Sequence, residues 1–188
     1  MEPKISDYQI LTNKTIYNGS IFDLHQNTIQ LPNGNKALRD VIIHNGASVI
    51  VPVTDDGHIV LVRQHRPGTN TLMLELPAGK LDPNEDPQTC AIRELEEETG
   101  YKATKIKKLL DLHPVAAYCT EKVAMFLAEG LQKGEPKPDP DEFVEVEVYP
   151  LDEIFTMIDN GTITDMKTIA GVLYYARMST QTDKGSKV

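Results

Sequence analysis

The chain has 188 residues, no tryptophan, 6% aromatic residues and two cysteines, Cys90 and Cys119. Two thiols far apart in sequence, with no Cys-x-x-Cys pair, exclude a disulfide framework and a zinc ribbon, and packing is the expected role of both. Positive charge is also scarce. Nineteen Lys and Arg face 28 Asp and Glu, for a net charge of −9 and a pI near 5.0. Such a surface repels nucleic-acid backbones and anionic membranes, so neither is an expected partner, and a phosphate ligand needs local arginine or a metal. No apolar run reaches the ~18 residues of a membrane span. The opening Met1-Glu2-Pro3-Lys4-Ile5-Ser6-Asp7 lacks the apolar core of a signal peptide, which makes the cytoplasm the expected compartment. There is no internal repeat and no low-complexity tract. What is present, 40% hydrophobic and 25% charged residues, is the composition of a globular protein. Its length fits one compact domain with a smaller appendage.

The texture divides the chain into a strand-rich region 1–45, a main domain 46–180 and a flexible tail 181–188. In the first region, Asn33-Gly34 separates two apolar stretches as a hairpin turn does. Forty-five residues bury too little surface to stand alone, so this region leans on the rest of the chain or on a second copy. In the main domain, β-branched runs at 48–53 and 58–62 flank Thr54-Asp55-Asp56-Gly57, a second hairpin signature. Further strands are expected at 71–76, 106–112, 123–128 and 143–149, with a loop over 77–87. Helices are expected at 88–99, 152–160 and 165–178, the last with Ile169, Val172, Leu173 and Ala176 on one side. This order predicts an α/β (α+β) fold, a mixed sheet with helices packed on it as an αβα sandwich, plus a small N-terminal antiparallel β region.

The helix at 88–99 is where local energetics are broken. At about 100° per residue, Glu94, Glu97 and Glu98 share one edge, while Ala91, Ile92 and Leu95 lie on the side expected to dock on the sheet, so the acidic edge is expected to face outward. Like charges at these spacings cost about 0.2–0.5 kcal/mol per pair, and acids in the last turn oppose the helix dipole. A hard divalent cation such as Mg²⁺ or Mn²⁺ is the natural compensation for three convergent carboxylates, whereas a solvated acidic face is the bland alternative.

The surroundings decide between them. Gly79, five residues, Glu85, seven residues, then Arg93-Glu94-Leu95-Glu96-Glu97-Glu98-Thr99-Gly100-Tyr101 resembles the box of the Nudix hydrolases, departing only at Tyr101, where the family carries a bulky aliphatic residue. The resemblance extends over about residues 8–178 through Arg63-Gln64-His65-Arg66, Leu74-Glu75-Leu76-Pro77-Ala78-Gly79 and the acidic loop before Phe143-Val144-Glu145-Val146. These look like the ADP-ribose and nucleoside-diphosphate-sugar pyrophosphatase branch. The resemblance implies a metal platform in which Glu94, Glu97, Glu98 and the Ala78 carbonyl hold two or more Mg²⁺ (or Mn²⁺) ions and Glu85 and Arg93 brace the loop. It also implies a homodimer across which the N-terminal region packs. ADP-ribose-preferring members tend to carry a proline fifteen or sixteen positions past the closing glycine. Here Ala116 stands at the sixteenth and the nearest proline is Pro114, so GDP-mannose or another sugar nucleotide stays open.

Hydrolysis of a pyrophosphate needs its charge neutralised and a water deprotonated. The five histidines show no paired ligand spacing, so carboxylates are the candidate bases. The branch resemblance implies Glu142, on a loop rich in proline and acid, with Asp139 and Asp141 as runners-up and Glu98 as the alternative within the box. Arg39 and Arg66 are candidates for the substrate's phosphates because a guanidinium fork matches phosphate oxygens. Glu75 could accept from a base or ribose hydroxyl, against the plainer expectation of an outward-facing strand residue. Other Nudix substrates, such as nucleoside triphosphates or dinucleoside polyphosphates, and a non-catalytic nucleotide-sugar-binding module are the remaining readings. All box carboxylates are retained, which argues against the module.

Overall fold

The computed structural model describes residues 7–137 and 142–185, and the side chains among these up to 180. Two compact units are present: Met1–Gly46 with His113–Lys122, and Ala47–Leu112 with Val123–Val188. In the first, β1 (Gln9–Asn18), β2 (Asp23–Gln30) and β3 (Lys36–Ile43) form an antiparallel sheet in that order. The turn at Asn33-Gly34 closes β2 on β3, with the Gly34 N–H donating to the Leu31 carbonyl at 2.9 Å and the Leu31 N–H to the Asn35 carbonyl at 2.8 Å. The segment His113–Lys122 joins this unit by flanking Ile42, whose N–H donates to the Tyr118 carbonyl and whose carbonyl accepts from the Thr120 N–H. Strand β1 is exposed along its whole length. Its residues Gln9–Asn18 show no clean alternation, so periodicity alone does not single them out.

The second unit holds two sheets. One runs β10-β5-β6 and the other β7-β4-β9-β8, from β4 (Ala47–Pro52), β5 (Ile59–Arg66), β6 (Thr71–Glu75), β7 (Ala78–Lys80), β8 (Tyr101–Leu112), β9 (Val123–Lys133) and β10 (Val144–Tyr149). Strands β4 and β9 pair in parallel and the rest antiparallel, which is the mixed sheet expected. Burial on both faces explains their unbroken apolar runs: Val49, Ile50 and Val51 are fully buried, and so are Met125 and Ala128.

The turn at Thr54-Asp55-Asp56-Gly57 forms, with the Thr54 N–H donating to the His58 carbonyl at 2.9 Å, but it does not make the expected hairpin. Only the bridge Val53–Ile59 joins its arms. Strands β4 and β5 are each central in a different sheet and take two other partners, so the chain turns a corner there. The expected loop 77–87 is likewise interrupted, since β7 pairs with β4 through Val49–Ala78 and Ser48–Gly79.

Helix α1 (Pro87–Thr99) is set by its ends. The Asp86 carboxylate accepts from the N–H groups of Gln88 and Thr89 at 3.0 and 3.2 Å, Pro87 fills the first turn, and Gly100 ends the helix at φ 73° with its N–H on the Glu96 carbonyl. A side chain at Gly100 would be strained by that φ and would also lie 2.7 Å from the Gly134 carbonyl oxygen. The buried face is rotated from the one expected: Cys90, Ala91, Leu95 and Thr99 are buried, whereas Ile92 is 48% exposed. Glu98 falls between Ala91 and Glu94 on this arc, so two of the three acids are turned inward.

Helices α2 (Leu151–Asp159) and α3 (Met166–Gly185) cover the other side of the sheets. Helix α3 runs past the expected end at Met178. Its core contacts come from Ile169, Val172 and Tyr175 while Leu173 is half exposed, against expectation. We expect Asp86→Ala to cost about 1 kcal/mol of stability through loss of the cap. Ile92→Ser, at the exposed rim of α1, should stay within about 0.5 kcal/mol. Urea unfolding of both variants checks this.

Candidate active site

The platform is built by β7, the loop 81–86 and α1. Pairing with β4 fixes Ala78 and Gly79, and the Pro77 carbonyl accepts from the Ile50 N–H at 2.9 Å. Gly79 lies so close to α1 that a Cβ on it would stand 1.8 Å from Glu94 Oε1, so only glycine lets the strand and the carboxylate meet.

Arg93 organises the acids. Its Nε and Nη2 donate to Glu85 at 3.0 and 2.9 Å, its Nη1 to Glu94 at 2.6 Å and Glu97 at 2.9 Å, and its Nη2 also to the Lys80 carbonyl at 3.3 Å. The Arg93 hydrogen bonds pull the Glu85 carboxyl down to about 2. The Asp82 N–H, donating to Glu85 at 3.0 Å, ties the same carboxylate to the loop.

Glu94 and Glu98 are buried, which corrects the expected outward-facing edge; their burial comes from the approach of β7 and β5. Burial, opposed by Arg93 and reinforced by the charges of Glu97 and Glu142, pushes Glu94 up to about 7. Glu98 is raised to about 8, mainly by burial and further by the charges of Glu94 and Glu142. It accepts from the Ala78 N–H at 3.0 Å and from Gln64 Nε2 at 3.3 Å. Among the described residues no ion pair includes Glu98.

The sequence candidates therefore divide. Glu85, Arg93, Glu94, Glu97, Glu98 and Ala78 come together around β7 and α1, and the charge of Glu142, on the exposed approach to β10, reaches Glu94 and Glu98. Asp139 and Asp141 lie outside the described residues. Arg66 and Glu75 are engaged with each other: Nε and Nη2 of Arg66 donate to the two oxygens of Glu75 at 2.9 and 2.7 Å. Glu75 is only 1% exposed, so the outward-facing reading fails: the β5–β6 pairing turns its side chain in with Arg66. Arg39 is exposed on β3 of the other unit, with Nη1 on the Leu38 carbonyl. Gln64, Asp165, Lys167 and Thr168, which had no site role in the sequence reading, also face this neighbourhood. One signal pointed to Lys167, a cation in the first turn of a helix and thus against the dipole.

Residues 44–170 match the NUDIX domain. The chain belongs to the Nudix family. It is 36% identical over 173 residues to the ADP-ribose pyrophosphatase of Bacillus subtilis (strain 168), covering 91% of this chain and 94% of that protein. It is 33% identical over 171 residues to the GDP-mannose pyrophosphatase of Yersinia enterocolitica, covering 84% and 88%. The crystal structure titled ADP compounds hydrolase shares the fold, with a TM-score of 0.83 at 23% identity over 93% of this chain and 95% of that one.

Nudix hydrolases generally need divalent metal ions, and the residues fit one. Glu94 and Glu98, both raised chiefly by burial and further by neighbouring carboxylates, are with Glu97 a hard-oxygen donor set of the kind a divalent cation takes. No three acidic, histidine or cysteine side chains among the described residues are yet gathered as a ligand cage. Arg93 holds Glu94 and Glu97, and the Ala78 N–H holds Glu98. A cavity of about 380 Å³ lined by Val53, Thr54, Thr104, Glu129 and Tyr175 among others contains none of these carboxylates.

The raised pKa of Glu98 has a stability consequence. Its protonated form favours the fold below an unfolded value of about 4.5, and this contribution is lost as the pH rises toward 8. In metal-free protein, Glu98→Gln should therefore raise the Tm at pH 8 and leave it nearly unchanged at pH 4.5, as scanning calorimetry in EDTA would measure.

Proposed function

We propose that this protein hydrolyses the pyrophosphate bond of ADP-ribose or another nucleoside diphosphate sugar in a metal-dependent reaction, giving a nucleoside monophosphate and a sugar phosphate. The observation that carries the reading is the buried pair Glu94 and Glu98 beside Gly79, with the charge of Glu142 directed at both. The names and coverage of the two pyrophosphatase relatives support the substrate class.

Glu94, Glu97, Glu98 and the Ala78 carbonyl would hold Mg²⁺, two or more ions with Mn²⁺ as a substitute, which neutralise phosphate charge and acidify water. Arg93, with Glu85, fixes the acids and keeps the loop in register. Glu142 takes the proton of the attacking water as the P–O–P bond breaks, and Glu98 is the second candidate for that step. The oxygen of the water ends on one phosphate, and the bridging oxygen leaves with the other. Arg66 presents a guanidinium to the substrate's phosphates. Arg39, on β3, is the second guanidinium proposed, on its chemistry alone. Glu75 serves by orienting Arg66.

A substrate panel with Mg²⁺ tests this. ADP-ribose and GDP-mannose should yield AMP and GMP, whereas nucleoside triphosphates should release little phosphate. Single-turnover rates for Glu142→Gln should fall at least tenfold, about 1.4 kcal/mol of barrier, with KM nearly unchanged. Retention of the rate would move the base to Glu98.

A homodimer formed through the N-terminal region is part of the same proposal. An edge strand exposed over all ten residues, with Ile10 66% and Tyr17 56% exposed and Ile21 63% exposed just beyond, is apolar surface that a second copy would cover. Sedimentation at micromolar concentration should give a dimer that Ile10→Glu weakens, and a monomer would overturn the assignment. We place the protein in the cytoplasm on its two free cysteines. No helix among the described residues is long and apolar enough to cross a membrane.

A further inference from the structure

Beside the box lies a second cluster of charges that the metal chemistry does not use. Glu75, at the end of β6, is 1% exposed and takes three hydrogen bonds from cations. Two come from the Arg66 fork and the third from Lys167 Nζ. Lys167 also pairs with Asp165 Oδ2 at 2.9 Å. That same oxygen accepts from the N–H and the hydroxyl of Thr168 at 2.9 and 2.6 Å, capping the first turn of α3. The fully buried Thr168 hydroxyl oxygen in turn accepts from the Leu76 N–H at 2.8 Å. The start of α3 is thus fastened to Glu75 and Leu76, immediately before Pro77-Ala78-Gly79.

The charges balance, with Arg66 and Lys167 against Glu75 and Asp165. Each alternative leaves a buried charge uncompensated. Without Lys167, Glu75 would keep one cation while Asp165 would lose its own, and Glu75 would be free to turn. The geometry of Arg66 depends on Glu75, because Nε and Nη2 each commit an N–H to it, which leaves the two N–H groups of Nη1 and the second of Nη2 to meet another group. Gln64, two residues before Arg66 on β5, donates through Nε2 to Glu98 Oε1 at 3.3 Å, and the charge of Glu98 acts on Arg66, so the guanidinium lies near the box. Lys167 itself sits in the first turn of a helix, where a cation is disfavoured, and its two carboxylate partners offset that cost.

We propose that Lys167 is a positioning residue, which through Glu75 holds the guanidinium plane of Arg66 in the orientation that meets the substrate's phosphates. The last clause rests on the substrate reading above, while the positioning itself does not. In this scheme Lys167 touches no substrate. It acts on affinity through Arg66, so its removal raises KM more than it lowers kcat.

The five arginines of the chain give five side-chain Nε–H signals in a ¹⁵N-labelled sample, and that of Arg66 is identified by its loss in Arg66→Lys. In the wild-type protein the Arg66 signal should exchange slowly with solvent. Lys167→Met should speed that exchange at least tenfold, Lys167→Arg should restore it, and the Arg93 signal should stay in place as the control for folding. Lys167→Gln, which keeps a donor but no charge, provides a second variant if the methionine form does not fold. In kinetics, Lys167→Met should lower kcat/KM about tenfold, mostly through KM, and should have little further effect in an Arg66→Ala background. An Arg66 Nε–H unmoved by both uncharged variants, or effects that simply multiply in the double variant, would overturn the proposal. Failure of the wild-type protein to cleave any sugar nucleotide would instead overturn the substrate reading, with the exchange comparison still deciding the role of Lys167.

Discussion

The structure around the box depends on one guanidinium. Arg93 has five N–H donors and directs them at Glu85, Glu94, Glu97 and the Lys80 carbonyl. With that fork in place, three acids can stand near each other at the end of a helix whose dipole already disfavours them. The fork also ties the loop 81–86 to α1, so the loop's path and the spacing of the acids are set together. A lysine could not substitute, since a single ammonium cannot serve four acceptors in a fixed plane.

Much of the fold was legible in the sequence because its signals are local. Asp86, Pro87 and Gly100 bracket α1 whatever it packs on, and the turns at Asn33-Gly34 and Thr54–Gly57 form where the residues say. The partners of those strands were another matter. Nothing within 54–57 reveals that β4 and β5 belong to different sheets, because that choice is made by β9 and β10, which lie far along the chain. Strand β1 escaped for a related reason: its residues are all exposed in the chain, so no alternation of apolar and polar side chains marks it.

At the site, spacing revealed which residues share the helix edge and missed which way that edge turns. A helical wheel gives angles between side chains but not the orientation of the wheel, and the apolar set Ala91, Ile92 and Leu95 suggested an orientation that the packing of Cys90 and Thr99 overrides. Burial of Glu94 and Glu98 therefore had no sequence signal of its own. The neighbourhood of Glu75 was harder still, as its cations come from β5 and from α3, and Lys167 is 92 residues away. Only the mismatch between a lysine and the first turn of α3 hinted that something waited there.

The parallel pairing of β4 with β9 sets an order in time as well as in space. Ala47 is opposite Val123 and Pro52 opposite Ala128, so β4 lacks this neighbour until the chain has been synthesised well past the box. The β7 loop and α1 can form early, from contacts within about twenty residues, but the sheet beneath them closes only through long-range pairing, which is slow to form. During synthesis the residues of the acidic helix thus emerge before Ala124 and Phe126, on which its apolar face rests in the folded chain. A ribosome-bound chain ending before β9 would carry every residue of the box and still lack the floor on which it stands.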